Sequence, residues 1–542
     1  MAAGQTAATM AAQQREISVA EFFLKNRHLL GFDTPARALL TAVKEAVDNS
    51  LDACEEARIL PEVWVEIDAL DTGRFRVAVQ DNGPGIAREQ VARIFGKLLY
   101  GSKFHRLAQS RGQQGMGISA AGMYAQLTTG VPTRVVTRVA GQAEATEMLV
   151  TVDTQRNRPD IRRRRQVQWA PRHGTRVELE LEGQYQHGQH SVLLYLKLVS
   201  IVNPHVSLHL REPDGTQLSW PRQLRRRPAV PRRIKPHPAG VELGVLMSML
   251  KQSQHRRLGA FLREEFSQVG DRRAREIIER AGQRLTPRSS TRRIRRDKAE
   301  ALLHAIAETD VPAPPTDCVV PIGQQGLLRG LEREVPGRFM TAVSRRPAVY
   351  RGNPFVVEVA LSHGRQDGPH VEVDEHGHLR RAGEPTAASP REPVRLLRFA
   401  NRVPLLYQQS HCAITQAVSA VHWSRYGLQQ PPGGLPLGPM TVLVHVASVW
   451  VPFTSESKEA VAAYPEIARE LSLALQHCGR KLAAHLSKER KLEDELQRRS
   501  EIEKYLPHVG QALQALLDLD DARRAELVQT VDALLQEKRR LT

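Results

Sequence analysis

From Leu40 to Cys54 the apolar positions Leu40, Val43, Val47, Leu51 and Cys54 recur at helical spacing. Glu45, Asn49 and Asp52 fall within about 60° of one another on the opposite side, so this helix has a core face and a chemical face. A strand follows. Phe75, Val77 and Val79 alternate with Arg76, Ala78 and Gln80 and lead into Asp81-Asn82-Gly83, which places a carboxylate at a strand end. Such a triplet is also an ordinary hairpin turn, since Asn and Gly tolerate positive φ. Next, glycines at 112, 115 and 117 precede a predicted helix, Ile118 to Gln126, with Ala120, Ala121, Met123 and Leu127 available for packing.

Farther along, Val241 to Glu308 is helical throughout: Leu243, Val245, Leu246 and Met249, then Leu258, Phe261 and Leu262, then Ile277 and Ile278, and finally Leu302, Leu303 and Ile306. Turns at Gly270-Asp271 and Gly282 divide it into a small all-helical module. From about 316 strand periodicity returns, in Phe355 to Leu361, Val394 to Phe399 and Met440 to Val451, alternating with helices Gln324 to Glu334 and Ala413 to Val421. That is an α/β domain. Ala468 to Leu486 and Leu492 to Leu517 then predict a long helix and a separate terminal helical segment.

Composition narrows the class. The 542 residues suffice for three or four domains, and 41% hydrophobic with 25% charged residues is globular. A formal charge of +18 favours a polyanionic partner, with DNA, RNA and anionic membrane all open on charge alone. Cys54, Cys318, Cys412 and Cys478 are scattered without a Cys-x-x-Cys pair, which argues against zinc and disulfide frameworks and for a reducing compartment. Met1 to Arg15 lacks an apolar signal region and no run of about 18 apolar residues occurs, so neither secretion nor membrane spanning is expected. Arg162 to Arg165 and the run Arg222 to Lys235 are densely basic. Prolines at 221, 228, 231 and 236 mark the latter as a boundary, and both runs read either as solvated linkers or as contacts to nucleic-acid phosphate.

The chemistry lies in three segments: Glu45 to Ala53, Asp81-Asn82-Gly83-Pro84-Gly85-Ile86, and Gly112-Gln113-Gln114-Gly115-Met116-Gly117. Gly85 lets the backbone pass close to a flat ligand. The last segment frees backbone N–H groups at a helix N-terminus, an anion site worth roughly 0.3–1 kcal/mol per charge. It lacks the Gly-Lys-Ser/Thr ending of a P-loop. In this order and spacing the segments resemble the N-box, G1 and G2 motifs of the ATPase superfamily of gyrase, heat-shock chaperones, histidine kinases and MutL, built on the Bergerat fold. Gly174-Thr175, before the strand Arg176 to Leu181, resembles its G3 element. The resemblance implies ATP and Mg²⁺ as cofactors. By it Glu45 is the general base, Asn49 helps hold Mg²⁺, and Asp81 accepts a hydrogen bond from the adenine amino group, with Gly83, Gly85 and Thr175 nearby. Gly112, Gln113, Gln114, Gly115, Met116, Gly117, Ile118 and Ser119 form a phosphate lid, with Ser102 and Lys103 as earlier lid contacts. Phosphoryl transfer also needs a cation. None stands within the three segments, so a lysine from elsewhere is expected.

Pro452-Phe453-Thr454-Ser455-Glu456-Ser457-Lys458-Glu459 puts a lysine at the expected mouth of the long helix. With Arg351-Gly352-Asn353-Pro354-Phe355 and Arg398-Phe399-Ala400-Asn401-Arg402-Val403-Pro404-Leu405-Leu406-Tyr407, this segment resembles the transducer domain of the type IIB DNA topoisomerase VI B-subunit family, over nearly the whole chain. The resemblance implies an α+β multidomain protein. Residues 1–16 are an N-terminal arm, 17–228 a Bergerat-fold ATPase sandwich, 229–312 a helix-two-turns-helix module, 313–486 an α/β transducer, and 487–542 a C-terminal helical segment contacting the A subunit. It further implies that Lys458 reaches the γ-phosphate and that two copies dimerise on ATP around duplex DNA. A partner A subunit, in an A₂B₂ heterotetramer, would make the double-strand break for strand passage, relaxation and decatenation, in the cytoplasm and without membrane attachment. Arg292, Arg293, Arg295 and Arg296, and Trp423, Arg425 and Tyr426, are candidate DNA contacts by charge and stacking; the family often has a lysine where this chain has Ser424. Asp518 and Asp520 read as a helix terminus rather than a metal site. An ATP-gated repair clamp or chaperone of the same superfamily is the alternative. A histidine kinase is disfavoured, because the stretch ahead of the N-box leaves no room for a phosphoacceptor hairpin.

Overall fold

The computed structural model describes residues 17–18, 21–22, 25–101, 107–112, 115–364, 370–373, 379–382, 392–455, 457–518 and 520–538. The expected arm, 1–16, lies outside them, as do Ser102, Lys103, Gln113 and Gln114.

Helix α1 (Pro35–Glu56) starts where Thr34 Oγ1 accepts the Arg37 N–H and Pro35 occupies the first turn, a cap worth about 1 kcal/mol. Leu39, Leu40, Val43, Val47 and Leu51 are buried on one side. After it come β1 (Glu62–Asp71), β2 (Arg74–Asp81), α2 (Arg88–Gly96), α3 (Gly117–Thr129), β3 (Thr133–Arg138), β4 (Ala145–Asp153), β5 (Arg158–Val167), β6 (Gly174–Glu182), α4 (Val192–Val202), β7 (Ser207–Arg211) and β8 (Gln217–Trp220). The strands make an 8-stranded sheet in the order β5-β4-β3-β6-β2-β1-β7-β8, antiparallel except for β1 against β7. Helices α1 to α4 cover one face. Strand alternation turns Val77, Val79, Val177 and Leu179 toward them to build the first core.

The other face is an ion-pair ladder across strands. Arg176 pairs with Glu66 and Glu178, Arg134 with Glu178 and Glu147, and Arg211 with Glu66 and Asp68. Here the basic run Arg162 to Arg165 is not a linker: it lies in edge strand β5, with Arg165 paired to Glu147 at 2.7 Å. A register irregularity leaves Arg162 out of the pairing, and Arg163, Arg164 and Arg165 stand opposite Leu149, Met148 and Glu147 of β4.

A helical module follows, of α5 (Leu243–Gln252), α6 (Leu258–Glu265), α7 (Asp271–Ala281) and α8 (Arg296–Glu308), closed over Leu246, Phe261, Ile277, Leu302 and Ile306. Then α9 (Gln324–Glu334), β9 (Phe339–Ser344), β10 (Ala348–Tyr350), β11 (Asn353–His363), β12 (His370–Val373), β13 (Leu379–Ala382), β14 (Arg395–Ala400), β15 (Val403–Pro404), α10 (Ala413–Ala420), β16 (Met440–Ser448), α11 (Pro465–Leu517) and α12 (Asp521–Lys538) complete the chain. The second sheet runs β10-β11-β16-β14-β15, with β9 also on β11. Val357, Val359, Val442, Val444 and Val446 face α10 and α11. Ala360, Leu443 and Phe399 face α9 and, from the first unit, Leu198, Ile201 and Val202 of α4. Thus α4 belongs to both units and joins them.

Two expectations change at the C-terminal end. The long helix is continuous from Pro465 to Leu517, so the division at 486/487 falls inside it and Pro507 lies within it. Near 486 it is burial that stops, not the backbone: Leu471, Leu475 and Leu482 are buried, whereas Tyr505 and Leu516 are exposed. Asp518 ends the helix in a left-handed conformation, and Asp520 Oδ1 accepts the Arg523 N–H at 2.8 Å, as expected of a helix terminus. Among the described residues no helix is long and apolar enough to cross a membrane.

Candidate active site

Between α1, α3, the end of β2 and the loop before α11 lies a cavity of about 680 Å³, a size suited to a nucleotide. Its walls include Glu45, Asn49, Asp81, Gly85, Gly112, Gly115, Met116, Gly117, Ile118, Thr175 and Lys458. All three sequence segments and the distant lysine therefore meet in one place. Gly83 and Ser119 do not line it: the Gly83 N–H donates to Asp81 Oδ1 at 2.8 Å, and Ser119 Oγ turns back onto Met116 O at 3.0 Å.

Asp81 is positioned by strand period and register. It shares the face of Val77 and Val79, pairs with Thr175 of β6, and so points at the helix layer. Its Oδ1 accepts the N–H groups of Gly83 and Thr175 (3.1 Å), and its Oδ2 the Ser50 hydroxyl (2.9 Å). Three of roughly four lone-pair sites are thus taken. The remaining one, on Oδ2, can accept an amino group. Burial raises the Asp81 pKa, although these hydrogen bonds oppose the rise. The Asp81-Asn82-Gly83 turn is not a hairpin, because β2 pairs with β1 and β6 while the chain itself continues into α2. Gly85 is required for a reason besides a ligand: its φ is +78°, and a Cβ there would come within 2.2 Å of Arg138 O.

Glu45 stands against the first turn of α3, where a Cβ on Gly117 would collide with its carboxylate. The close approach needs glycine. It sets the carboxylate beside unpaired helix N–H groups, an anion-favouring position. Asn49, exposed one turn on, has its Oδ1 3.8 Å from where a Gly112 Cβ would stand.

Lys458 is not at the mouth of a helix. It lies in a tight loop before α11 at φ +55°, is 7% exposed, and donates from Nζ to Arg111 O at 3.1 Å, at the root of the glycine-rich loop. Isolated antiparallel pairing of Phe453 with Val461 closes that loop and holds the lysine inward.

Two residues of the cavity wall, Lys44 and Arg37, fall outside the sequence segments, and Asp48, inside the first segment, is not part of the wall. Half-buried Lys44 lines the cavity one residue outside the first segment, and burial lowers its pKa against the attraction of Glu45 and Asp48. Asp48 accepts the Tyr195 hydroxyl at 3.1 Å and is raised to about 6, chiefly by burial. Arg37 pairs with Glu459, next to Lys458, and lies 4.7 Å over the Tyr407 ring. The only available signal was a base beside Glu45 and an Arg one helical span earlier; the partners lie at the other end of the chain.

The DNA candidates divide. Arg292, Arg293, Arg295 and Arg296 are exposed at the turn before α8, and Arg425 is exposed. Trp423 is fully buried, donating from Nε1 to Val418 O at 2.8 Å, so it cannot stack on a base; Tyr426 is half-buried against Gly479 of α11. The Trp-Tyr pair is a packing wedge because the 3₁₀ turn Trp423–Tyr426 docks on α11. His363, His485 and Glu489 cluster at the far end of β11, where the Arg338 guanidinium, 3.3 Å from Glu489, already supplies positive charge.

Residues 34–184 match the model of the histidine kinase-, DNA gyrase B- and HSP90-like ATPases, and residues 314–498 that of the topoisomerase VI B subunit transducer. The type 2 DNA topoisomerase 6 B subunit of Methanococcoides burtonii is 46% identical, over 96% of this chain and 80% of the relative. That of Archaeoglobus fulgidus is 44% identical, over 98% and 84%. The ATPase region of Saccharomyces cerevisiae topoisomerase II superposes with a TM-score of 0.41 at 12% identity, over 88% of this chain and 99% of that one.

Proposed function

We propose, from the premise that this chain belongs to the type 2 DNA topoisomerase 6 B-subunit family, a division of labour among its residues. The chain is the ATP-hydrolysing subunit of a type II topoisomerase, with a Bergerat ATPase unit and a transducer. The transducer match favours this reading over a repair clamp or chaperone with the same ATPase.

The observation that carries the assignment is Lys458 from the transducer lining the same cavity as Glu45 and Asp81. Asp81, with its free acceptor site, selects the adenine amino group, and Thr175 steadies it. The amides of Gly112 and of Gly115 to Ile118 at the α3 N-terminus hold phosphate; Lys458 supplies positive charge where charge spreads in phosphoryl transfer. Glu45 takes the proton of the attacking water. The side-chain oxygen of Asn49 on the cavity wall would hold Mg²⁺, which when bound would supply positive charge against the phosphates. Ser102, Lys103, Gln113 and Gln114 complete the lid in the family pattern.

Two copies close on ATP around duplex DNA, and an A subunit supplies cleavage in an A₂B₂ assembly. Exposed Tyr505, Val509, Leu516 and Leu517 on α11 give that partner an apolar surface. The domain limits 17–228, 229–312 and 313–486 follow this division, with cytoplasmic residence and residues 1–16 crossing to the second copy. Arg292, Arg293, Arg295, Arg296 and Arg425 are the DNA contacts retained.

Glu45→Ala tests the core of the reading. ATP binding and ATP-dependent dimerisation persist while hydrolysis falls about 10²–10⁴-fold; undiminished turnover would defeat it. Lys458→Ala lowers hydrolysis and strand passage together, measured as ATP turnover beside plasmid relaxation.

A further inference from the structure

The second sheet carries a polar pair in an apolar layer. Strand alternation sends Glu358 of β11 and His445 of β16 to the face shared with α4 and α9, and register sets them directly opposite each other. Both are fully buried, with His445 Nδ1 2.9 Å from Glu358 Oε2. The tautomer follows from the other nitrogen. The Arg402 backbone N–H donates to His445 Nε2 at 2.9 Å, so Nε2 is the acceptor and Nδ1 carries the proton toward Glu358. Glu358 also accepts from Ile322 N, Gly323 N (both 2.8 Å) and Ser344 Oγ (2.6 Å). Burial pushes its pKa up, and the hydrogen bonds from His445 and the others more than reverse this, leaving it lowered.

What this pair holds is a two-residue turn. Asn401 and Arg402 join β14 to β15 with φ of +47° and +65°, a left-handed conformation at both positions that non-glycine residues adopt only at a cost. The turn projects into the ATPase unit. Asn401 Nδ2 donates to Ser110 O at 3.0 Å and to Ser448 O at 2.9 Å, while its Oδ1 accepts Ser448 N at 2.8 Å. Arg402 lies 3.8 Å from Glu55 of α1 and donates to Pro321 O at 3.4 Å, and its carbonyl accepts Asn203 Nδ2 at the end of α4 at 3.4 Å. Glu55 in turn holds Arg111 at 2.7 Å, and the Arg111 carbonyl takes Lys458.

We propose that the Asn401–Arg402 turn is the latch that couples the nucleotide loop to the transducer, gripping its root at Ser110–Arg111, with His445 and Glu358 fixing the latch in the sheet. This rests on the topoisomerase reading above. Neither turn residue lines the nucleotide cavity, so both are positioning residues. Displacement of the glycine-rich loop moves Ser110 and Arg111, and the buried hydrogen bonds carry that movement into β14 and β16. Lys458 senses the loop from one side of the Ser110–Arg111 root and the latch from the other.

The test uses the full chain assembled with its A subunit, ATP and supercoiled plasmid. Arg402→Met removes the charge beside Glu55 but keeps the backbone bond to His445; Asn401→Gly keeps the left-handed backbone but removes the grip on Ser110. In each, ATP consumed per supercoil removed rises at least tenfold while the KM for ATP stays within about twofold, and Arg402→Lys recovers part of the loss. Amide exchange on adding a non-hydrolysable ATP analogue gives a second readout. Protection changes at 110–117 and at 395–404 in the wild type, but only at 110–117 in the variants. A folded variant with the wild-type ATP ratio and exchange at both segments would overturn the latch, and so would equal losses of every activity tracking a lowered melting temperature. A wild-type chain that neither binds ATP nor relaxes DNA would instead defeat the preceding reading.

Discussion

At the scale of single residues, three carboxylates on or beside α1 behave differently because their partners differ. Asp81 is met by N–H and O–H donors, and Glu55 by Arg111 and His205, the arginine holding it well below the ordinary range despite burial. Asp48 has the Tyr195 hydroxyl and the nearby Lys44, and burial wins, lifting it from 3.8 to about 6. The folded protein therefore binds a proton there that the unfolded chain has released. This contribution is complete below pH 3.8 and lost as pH rises through about 6, a change of about 3 kcal/mol over the full interval. Replacing Asp48 with Asn keeps an acceptor for Tyr195 and removes the titration. Urea unfolding of both proteins from pH 4 to 8 should show the wild type losing stability relative to the variant up to about pH 6, then running parallel; a difference flat across the series would mean Asp48 does not titrate there. Glu45, Asn49 and Asp81 were legible in the sequence because helix and strand periods alone put them on the right faces. Lys44 and Arg37 were not, since burial and partners such as Glu459, brought by tertiary packing, place them on the cavity wall, and the raised pKa of Asp48 likewise follows from tertiary burial beside Tyr195.

At the scale of elements, Arg111 ties α1 to the root of the glycine-rich loop. Arg111 is 4% exposed and pairs with Asp52 at 2.9 Å and Glu55 at 2.7 Å while donating to Asn203 Oδ1 at 2.6 Å. Arg111→Met removes the cation but leaves two carboxylates in place, and an uncompensated buried charge costs about 3–5 kcal/mol. The expected outcome is a loss of that size in chemical unfolding, largest at neutral pH and reduced in acid as Glu55 protonates. An unchanged midpoint would show that His205 and Arg402 carry the carboxylates alone. Long elements read well from sequence: Gln324 to Glu334 is a helix with those limits, and β11, β14 and β16 differ from the expected strands by a few end residues, whereas the short strands β9, β10 and β15 were not read. The misses have different causes. α11 runs through 486 because Lys, Glu, Arg, Gln and Leu keep helical propensity high where burial ceases, and β5 pairs along β4, where Glu147 neutralises Arg165.

At the scale of the molecule, the +18 charge is not spread evenly in its effect. Much of the arginine on the outer face of the first sheet is spent on the ladder with Glu66, Asp68, Glu147 and Glu178, so net charge overstates what is available to DNA. Arg292, Arg293, Arg295 and Arg296 stand exposed together, with Arg296 paired to Glu300 in a solvent-facing contact worth little. Each phosphate neutralised contributes about −0.9 to the slope of log affinity against log salt. Converting all four to Gln should therefore flatten that slope by up to about 3 to 4 and weaken binding at low salt regardless of sequence. Arg211→Gln, which breaks ladder pairs to Asp68 and Glu66, should leave the slope unchanged. Fluorescence anisotropy on a duplex across 50 to about 300 mM salt separates the two. If the Arg211 variant flattens the slope as much as the fourfold one, binding follows total charge rather than this turn. The helical module would then be a spacer rather than the duplex-binding element.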